Sequence, residues 1–116
     1  MLRLASFVLL LAIATSAIGC SKAQTPAACA DPTRASAVDV KDFSFTPSCI
    51  QTATGAKLTI TDSGVAPHTF TVTGTDVNVS VGAGGTATAD LTGIAPGTYA
   101  IVCTYHPQMK GTLEIG

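Results

Sequence analysis

Three potential metal ligands lie close together near the end of the chain. Cys103, His106 and Met109 are spaced three residues apart and offer a thiolate, an imidazole and a thioether. Among biological metals, copper is best suited to such a mixture of soft sulfur and imidazole ligands, with zinc thiolate chemistry as the main competitor. The spacing therefore predicts a mononuclear copper site, which needs a second imidazole. The chain has one other histidine, His68, so the fold must bring it to this loop.

The residues around these ligands are predicted to form β-strands. From about residue 37 onward the chain is rich in Thr, Val and Gly and has no long amphipathic helical pattern, which favours an all-β fold. Turn signals such as Pro96-Gly97 separate short stretches in which apolar and polar residues alternate. The predicted strands cover approximately residues 38–45, 56–61, 68–73, 77–81, 86–92, 97–103 and 112–115. About seven to eight short strands in one domain indicate an antiparallel two-sheet sandwich.

The first of these strands changes its pattern midway. Val38 and Val40 share one parity, whereas Phe43 and Phe45 share the other. Because side chains on one face of a strand are two residues apart, this switch predicts a bulge or bend near residues 41 and 42.

Parity also places two of the potential ligands on inward faces. Cys103 shares its face with Ile101, and His68 shares its face with Phe70. If the two apolar residues face the core, both ligands point inward from the ends of their strands. The loops of a sandwich cluster at its two ends, so the two ligands can meet at one end, with the loop to Met109 closing over them.

The start of the chain has the pattern of a secretory signal peptide. Residues 1–19 contain Arg3, an apolar middle and small residues at the exit. A transmembrane anchor needs about 20 apolar residues, and this run is shorter. The exit, Ser16-Ala17-Ile18-Gly19-Cys20, resembles the bacterial lipobox, which implies lipid on Cys20 and a membrane-anchored protein of the periplasm or cell envelope. The alternative is an ordinary signal peptide that is cleaved just downstream, so that Cys20 is lost or remains a free thiol.

The mature chain is predicted to be a tethered single domain. Residues 20–36 are mostly Ala, Thr, Pro and Ser, which cannot bury a core, and are predicted to be a flexible spacer. Residues 37–116 form the predicted domain, which we expect to be a monomer. Beyond residue 19 the chain has five Lys and Arg against seven Asp and Glu, a net charge of −2 without runs of either sign. Nucleic-acid binding, which needs clustered basic residues, is therefore not expected.

The four cysteines can be divided among three roles. If Cys20 takes lipid and Cys103 binds metal, Cys29 and Cys49 remain as a pair in a compartment that permits disulfides. A bridge between them would close a loop of about 20 residues and contribute on the order of 3 kcal/mol. The alternative, that Cys29 and Cys49 are further metal ligands, is weaker because neither has a partner at close spacing.

The motifs resemble those of the type 1 blue copper proteins, or cupredoxins. Three segments are similar to motifs of this family: C-T-Y-H-P-Q-M, which precedes K-G and the last strand, the upstream A-P-H-T-F, and F-S-F-T-P in the first strand. The resemblance covers about residues 39–115. The short ligand loop resembles that of amicyanin-like and pseudoazurin-related members. The resemblance implies a Greek-key sandwich. Where many members have an asparagine near the first histidine, this chain has Asp62, Ser63 and Thr69, so the resemblance leaves the hydrogen bonds around the metal unassigned.

The resemblance also implies a role for each potential ligand. By position, His68 matches the upstream imidazole ligand, Cys103 the thiolate, His106 the second imidazole and Met109 the weak axial thioether. It implies one copper ion that cycles between Cu(I) and Cu(II), and a one-electron carrier between redox partners. We expect the partner protein to dock near His106, on an apolar patch that includes Ala66, Pro67 and Pro107.

Other functions that could use the same residues can be distinguished from a mononuclear copper site. A binuclear copper site would need a second cysteine in the ligand loop, and a zinc site would normally avoid methionine. A hydrolase using Cys103 and His106 would need an orienting group and an oxyanion hole, for which the sequence has no signal. Four ligands leave no open position for a substrate, so no enzymatic activity is expected. The remaining alternative is a copper-binding lipoprotein that stores or delivers the metal through the same four ligands.

Overall fold

The computed structural model describes residues 26–116. The predicted signal peptide, residues 1–19, and the predicted lipidation site, Cys20, lie outside the described residues. Within 26–116 there is no helix long and apolar enough to span a membrane. The strands of this part are β1 (Thr33–Arg34), β2 (Ala37–Lys41), β3 (Ser44–Thr46), β4 (Cys49–Thr52), β5 (Lys57–Asp62), β6 (His68–Val72), β7 (Asn78–Val81), β8 (Thr86–Asp90), β9 (Gly97–Val102) and β10 (Lys110–Ile115). The all-β prediction is confirmed.

The strands form two sheets. One has the order β1-β4-β10-β9-β6-β7, and the other has the order β3-β2-β5-β8. The predicted two-sheet arrangement is confirmed, but the sheets are mixed, because β4 runs parallel to both β1 and β10, and β2 runs parallel to β5. The described part has ten strands, more than the seven to eight predicted, since β1, β3 and β4 are too short to show clear alternation.

A tight hairpin replaces the predicted bulge in the first strand. Strands β2 and β3 pair antiparallel, with Lys41 opposite Ser44. The two residues between them have positive φ angles, 47° at Asp42 and 69° at Phe43, as a two-residue hairpin turn of the primed type requires. The prediction of a bulge was wrong, because the chain reverses direction where the parity switches. The turn leaves the Phe43 side chain half exposed.

The core lies between the sheets and is made of alternating inward residues. Leu58 and Ile60 of β5 are fully buried, as are Phe70 of β6 and Ile101 of β9. Phe45 from the four-stranded sheet meets Phe70 from the six-stranded sheet edge to face, with ring centroids 5.9 Å apart. Phe70, which makes this contact between the sheets, is two residues after His68, the first residue of β6.

The segment before the first long strand is attached to the six-stranded sheet. Cys29 and Cys49 form the predicted disulfide, with their Cα atoms 6.2 Å apart. The main-chain N–H of Cys29 donates to the Glu114 carboxylate in β10 at 2.9 Å. Strand β1 then pairs with β4, so part of the predicted spacer, residues 20–36, packs with the domain.

Candidate metal centre

Two neighbouring strands bring the predicted ligands to one end of the sheet. His68 is the first residue of β6, and Cys103 directly follows the last residue of β9. The two strands are antiparallel neighbours, with Thr71 opposite Val102, so the start of β6 and the end of β9 lie at the same end of the sheet. His68 and Cys103 are each about 1% exposed. They lie inward at one end of the sandwich, where parity placed them.

The loop from Cys103 to Met109 is closed by three main-chain hydrogen bonds. The N–H of His106 donates to the Cys103 carbonyl at 3.3 Å, and that of Met109 donates to the His106 carbonyl at 2.9 Å. The N–H of Cys103 in turn donates to the Met109 carbonyl at 3.2 Å. The spacing of three residues thus corresponds to two successive turns that join the main chains of all three residues. The Met109 side chain is fully buried.

The exit of the loop is fixed by close packing of two strands. Gly111 lies in β10, and a Cβ at this position would be 2.5 Å from the Ser48 carbonyl oxygen and 2.9 Å from the Ile101 side chain. The next residue, Thr112, donates its N–H to the same carbonyl at 2.8 Å. Only glycine allows this approach, which holds the end of the ligand loop against the start of β4.

The Cys103 thiol is buried, forms no disulfide with another described cysteine, and is held by hydrogen bonds. The main-chain N–H of Thr69 donates to its Sγ at 3.3 Å, and the Nδ1 atom of His106 lies 3.5 Å from the same sulfur. The Thr69 hydroxyl accepts the N–H of Thr104 at 2.8 Å. Thr69 therefore joins strand β6 to the ligand loop through its main chain and its side chain.

His68 has one ring nitrogen engaged and the other free. Its Nδ1 atom lies 3.0 Å from the Asp62 carboxylate, and both side chains are buried. Its Nε2 atom is buried and has no hydrogen-bond partner among the described residues. The ring centroid lies 5.0 Å from that of His106. Because buried polar atoms nearly always have a partner, the free nitrogen indicates that this site binds a group from outside the described residues.

The contact of Asp62 with His68 was not predicted from the sequence. It is the last residue of β5 and is fully buried. One carboxylate oxygen faces His68, and the other accepts the N–H of Gly64 at 2.9 Å. A signal for the burial of Asp62 was present, because it has the same parity as Leu58 and Ile60, yet its turn-forming neighbours favoured a loop there.

The donor set fits a copper ion. Within residues 26–116 the structure offers a buried thiol without a disulfide, an imidazole nitrogen without a partner and a second imidazole 3.5 Å from the thiol. The buried Met109 closes the same loop. Soft sulfur with imidazole, in a site that is mostly shielded from water, matches the preference of copper.

Exposed apolar side chains contact His106 or neighbour the predicted ligands in the chain. The Phe43 ring packs edge-on against His106, with centroids 4.7 Å apart. Phe43 is 50% exposed, Tyr105 54% and Val65 94%. The predicted patch residues Ala66, Pro67 and Pro107 follow or flank these residues in the chain and are half-buried or exposed. The sequence reasoning missed Phe43, because it expected a continuous strand where the hairpin turn occurs.

Comparisons with known proteins agree with this architecture. A family model described as a cupredoxin-like domain matches residues 5–115. No curated protein sequence matches the chain significantly.

Solved structures share the fold at low sequence identity. A reduced amicyanin mutant superposes with a TM-score of 0.59 at 20% identity, covering 71% of this chain and 82% of its own. A fern plastocyanin mutant, solved in oxidized and reduced forms, gives 0.60 at 23% identity, covering 69% and 99%. A copper-containing nitrite reductase from Thermus scotoductus gives 0.56 at 23% identity, covering 81% of this chain but 25% of its own.

Proposed function

The chain belongs to the cupredoxin-like family, and we propose that it is an exported, mononuclear type 1 copper protein that carries single electrons between redox partners. The observation that carries this proposal is the centre itself. In the described part of the chain, a buried free thiol, a buried imidazole nitrogen without a partner and a second imidazole meet at one end of the sandwich. The oxidized and reduced forms of the plastocyanin with the same fold support a redox role.

The proposed ligands are His68, Cys103, His106 and Met109. Bound copper would supply a Cu(I)/Cu(II) couple, and a set of two imidazoles, a thiolate and a weak thioether suits both oxidation states. The chain's own contribution is to hold these groups in place. Strand β6 fixes His68, the hydrogen-bonded turns fix the loop, and the N–H of Thr69 is directed at the Cys103 sulfur. Hydrogen bonds to a cysteine sulfur tune the redox potential of such sites.

The exposure of the ligands favours electron transfer over catalysis. His68, Cys103 and Met109 are buried, and only His106 is half-exposed. A substrate would have to displace a buried ligand, whereas an electron can pass through the exposed edge of His106. The nitrite reductase with the same fold matches this chain over a quarter of its own length, so its activity is no argument for catalysis by this chain.

We infer that a redox partner docks on the apolar surface around His106. Phe43 contacts the His106 ring, and Tyr105 and Pro107 are its exposed neighbours in the chain. The small net charge gives little long-range steering, so contact area rather than charge would hold the complex.

A pair of charged substitutions tests this docking surface. Pro107→Asp places a charge beside His106 and is expected to slow electron transfer from the native partner by about tenfold or more, since charge at an apolar contact is costly. Thr54→Asp is the matched control, because it follows β4, whose last residue pairs with the end of β10 far from the ligand loop. Equal rates in both variants would exclude this docking site.

We also infer that the protein is exported and anchored through lipid on Cys20. Residues 1–19 have the pattern of a signal peptide. The disulfide between Cys29 and Cys49 is typical of an oxidising compartment such as the periplasm. Mass spectrometry of the membrane fraction should find a lipid-modified Cys20 at the mature N-terminus. An unmodified N-terminus at another residue would contradict the anchor.

Copper retention distinguishes an electron carrier from a protein that stores or delivers copper. An electron carrier should show a reversible one-electron wave in voltammetry and keep its copper in the presence of a competing chelator. A delivery protein should release copper readily to an acceptor. The burial of three proposed ligands favours retention. Rapid loss of copper without a reversible wave would reject the electron-carrier proposal.

A further inference from the structure

We propose that Asn78 is a positioning residue for the metal centre, although it lies at the opposite end of β7 from Val81, the residue that pairs with His68. Its side-chain oxygen fixes the direction of hydrogen bonds among three threonine hydroxyls, those of Thr69, Thr71 and Thr104. This threonine network holds the ligand loop against β6. Its effect on a bound copper ion rests on the proposed function, whereas the network itself can be tested in the metal-free protein.

The threonine network crosses three neighbouring segments of the six-stranded sheet. Thr69 and Thr71 are two residues apart in β6 and share one face of it. Thr71 pairs with Asn78 in β7 on one side and with Val102 in β9 on the other. Thr104 follows Val102 by two residues and reaches Thr69. The distances between side-chain oxygens are 2.9 Å from Thr71 to Asn78, 3.1 Å from Thr69 to Thr71 and 3.2 Å from Thr69 to Thr104.

The donor of each hydrogen bond in the network follows from Asn78. A hydroxyl has one proton to donate and two lone pairs that accept. The amide oxygen of Asn78 only accepts, so Thr71 donates its proton there. Thr71 must then accept in its contact with Thr69, and Thr69 donates its own proton to Thr71. Both lone pairs of Thr69 therefore remain for Thr104, which donates its main-chain N–H at 2.8 Å and its hydroxyl at 3.2 Å.

This single direction matters because the network ends at the Cys103 sulfur. Thr104 directly follows Cys103, and the main-chain N–H of Thr69 donates to the Cys103 sulfur at 3.3 Å. Hydrogen bonds that run in one direction strengthen one another. Thr69 is 2% exposed, so water cannot readily replace a partner that it loses. The network thus joins the two segments on either side of the sulfur.

Removal of the Asn78 oxygen disturbs this arrangement from a distance. In Asn78→Leu the Thr71 hydroxyl loses its acceptor and can donate to the Thr69 oxygen instead. It then takes a lone pair that Thr104 uses, so one of the two hydrogen bonds from Thr104 weakens. We expect the Thr104 N–H to exchange with solvent about two- to tenfold faster, as for the loss of about one hydrogen bond. Asn78→Asp keeps an acceptor at this position and should keep the wild-type rate.

The first test is amide hydrogen exchange followed by NMR in the full-length, metal-free protein. Asn78 and Ser80 are both exposed on the same face of β7, so Ser80→Val is the control for loss of a polar group there and should leave the Thr104 rate unchanged. A wild-type rate in Asn78→Leu would overturn the proposal, as would an equally fast rate in Asn78→Asp.

A double substitution tests whether Asn78 acts through Thr71. Thr71→Val interrupts the network at its middle, so adding Asn78→Leu to it should not accelerate exchange at Thr104 any further. If the two substitutions instead multiply their effects, Asn78 acts independently of the network and the proposal is wrong.

The second test concerns the copper form. A less firmly held Thr69 donates a weaker hydrogen bond to the Cys103 sulfur, which leaves more electron density on the thiolate and favours Cu(II). Voltammetry should therefore show a lower reduction potential in Asn78→Leu and no shift in Ser80→Val, since hydrogen bonding at this sulfur tunes the potential. Equal potentials would overturn the role of Asn78 at the metal centre. A wild-type protein that binds no copper would overturn the proposed function, whereas the exchange rates would still decide whether Asn78 directs the network.

Discussion

Substitution of Met109 separates a packing role from a ligand role. The side chain is fully buried, and its main chain bonds to both Cys103 and His106. Met109→Ala removes most of a buried side chain and leaves a cavity, which is expected to cost about 2–5 kcal/mol of unfolding free energy in the metal-free protein. Met109→Leu nearly conserves volume and keeps the main-chain bonds, so its cost should stay below about 1.5 kcal/mol.

The leucine variant then reports on the thioether. If Met109 is an axial ligand, Met109→Leu removes electron donation that favours Cu(II), and the reduction potential should rise while the metal-free protein stays nearly as stable. Urea denaturation of the metal-free protein and voltammetry of the copper form measure the two quantities. Leu113→Met, a volume-conserving exchange at a buried position of β10, is the control and should leave the potential unchanged. An unchanged potential in Met109→Leu would assign Met109 to packing alone.

Three further predictions concern the scaffold of the site. Replacing both Cys29 and Cys49 by serine should lower the unfolding free energy by about 3 kcal/mol in urea denaturation, and an unchanged midpoint would contradict this role of the bridge. Thr69→Val removes the hydroxyl that accepts a main-chain N–H of the ligand loop, so we expect a loss of about 1 kcal/mol and faster hydrogen exchange at that N–H. Equal exchange rates would show that the bond does not hold the loop. Gly111→Ala should cost about 1–3 kcal/mol because its Cβ meets a main-chain oxygen. Gly82→Ala, which points into open space, serves as its control, and equal stability of the two variants would refute the steric argument.

Parity predicted the inward positions of two of the proposed ligands, His68 and Cys103. The alternation of His68 with Phe70, and of Cys103 with Ile101, predicted inward-facing ends of two strands, and all four residues are buried. The alternation worked because β6 and β9 are long enough to have one face in the core. The spacing of three in the ligand loop is likewise explained by its two hydrogen-bonded turns.

Three further features could not be predicted from the alternation of apolar and polar residues. Strands β1 and β4 have two and four residues, and they form because a disulfide and the last strand bring them together. The hairpin at Asp42 and Phe43 lacks the glycine that usually marks such a turn, so the change of parity there was interpreted as a bulge or bend. The pairing of Asp62 with His68 depends on how β5 and β6 meet across the sandwich. No pattern within either strand specifies that contact.

The most direct measurement of the central claim is the visible absorption of the copper-loaded protein. We expect Cu(II) to produce an intense thiolate-to-copper charge-transfer band that is bleached reversibly by a reductant. Cys103→Ser removes the buried thiol with little change in side-chain size, and it should abolish the band. A wild-type protein that gains no such band, or a band that survives Cys103→Ser, would contradict a type 1 copper centre at this site.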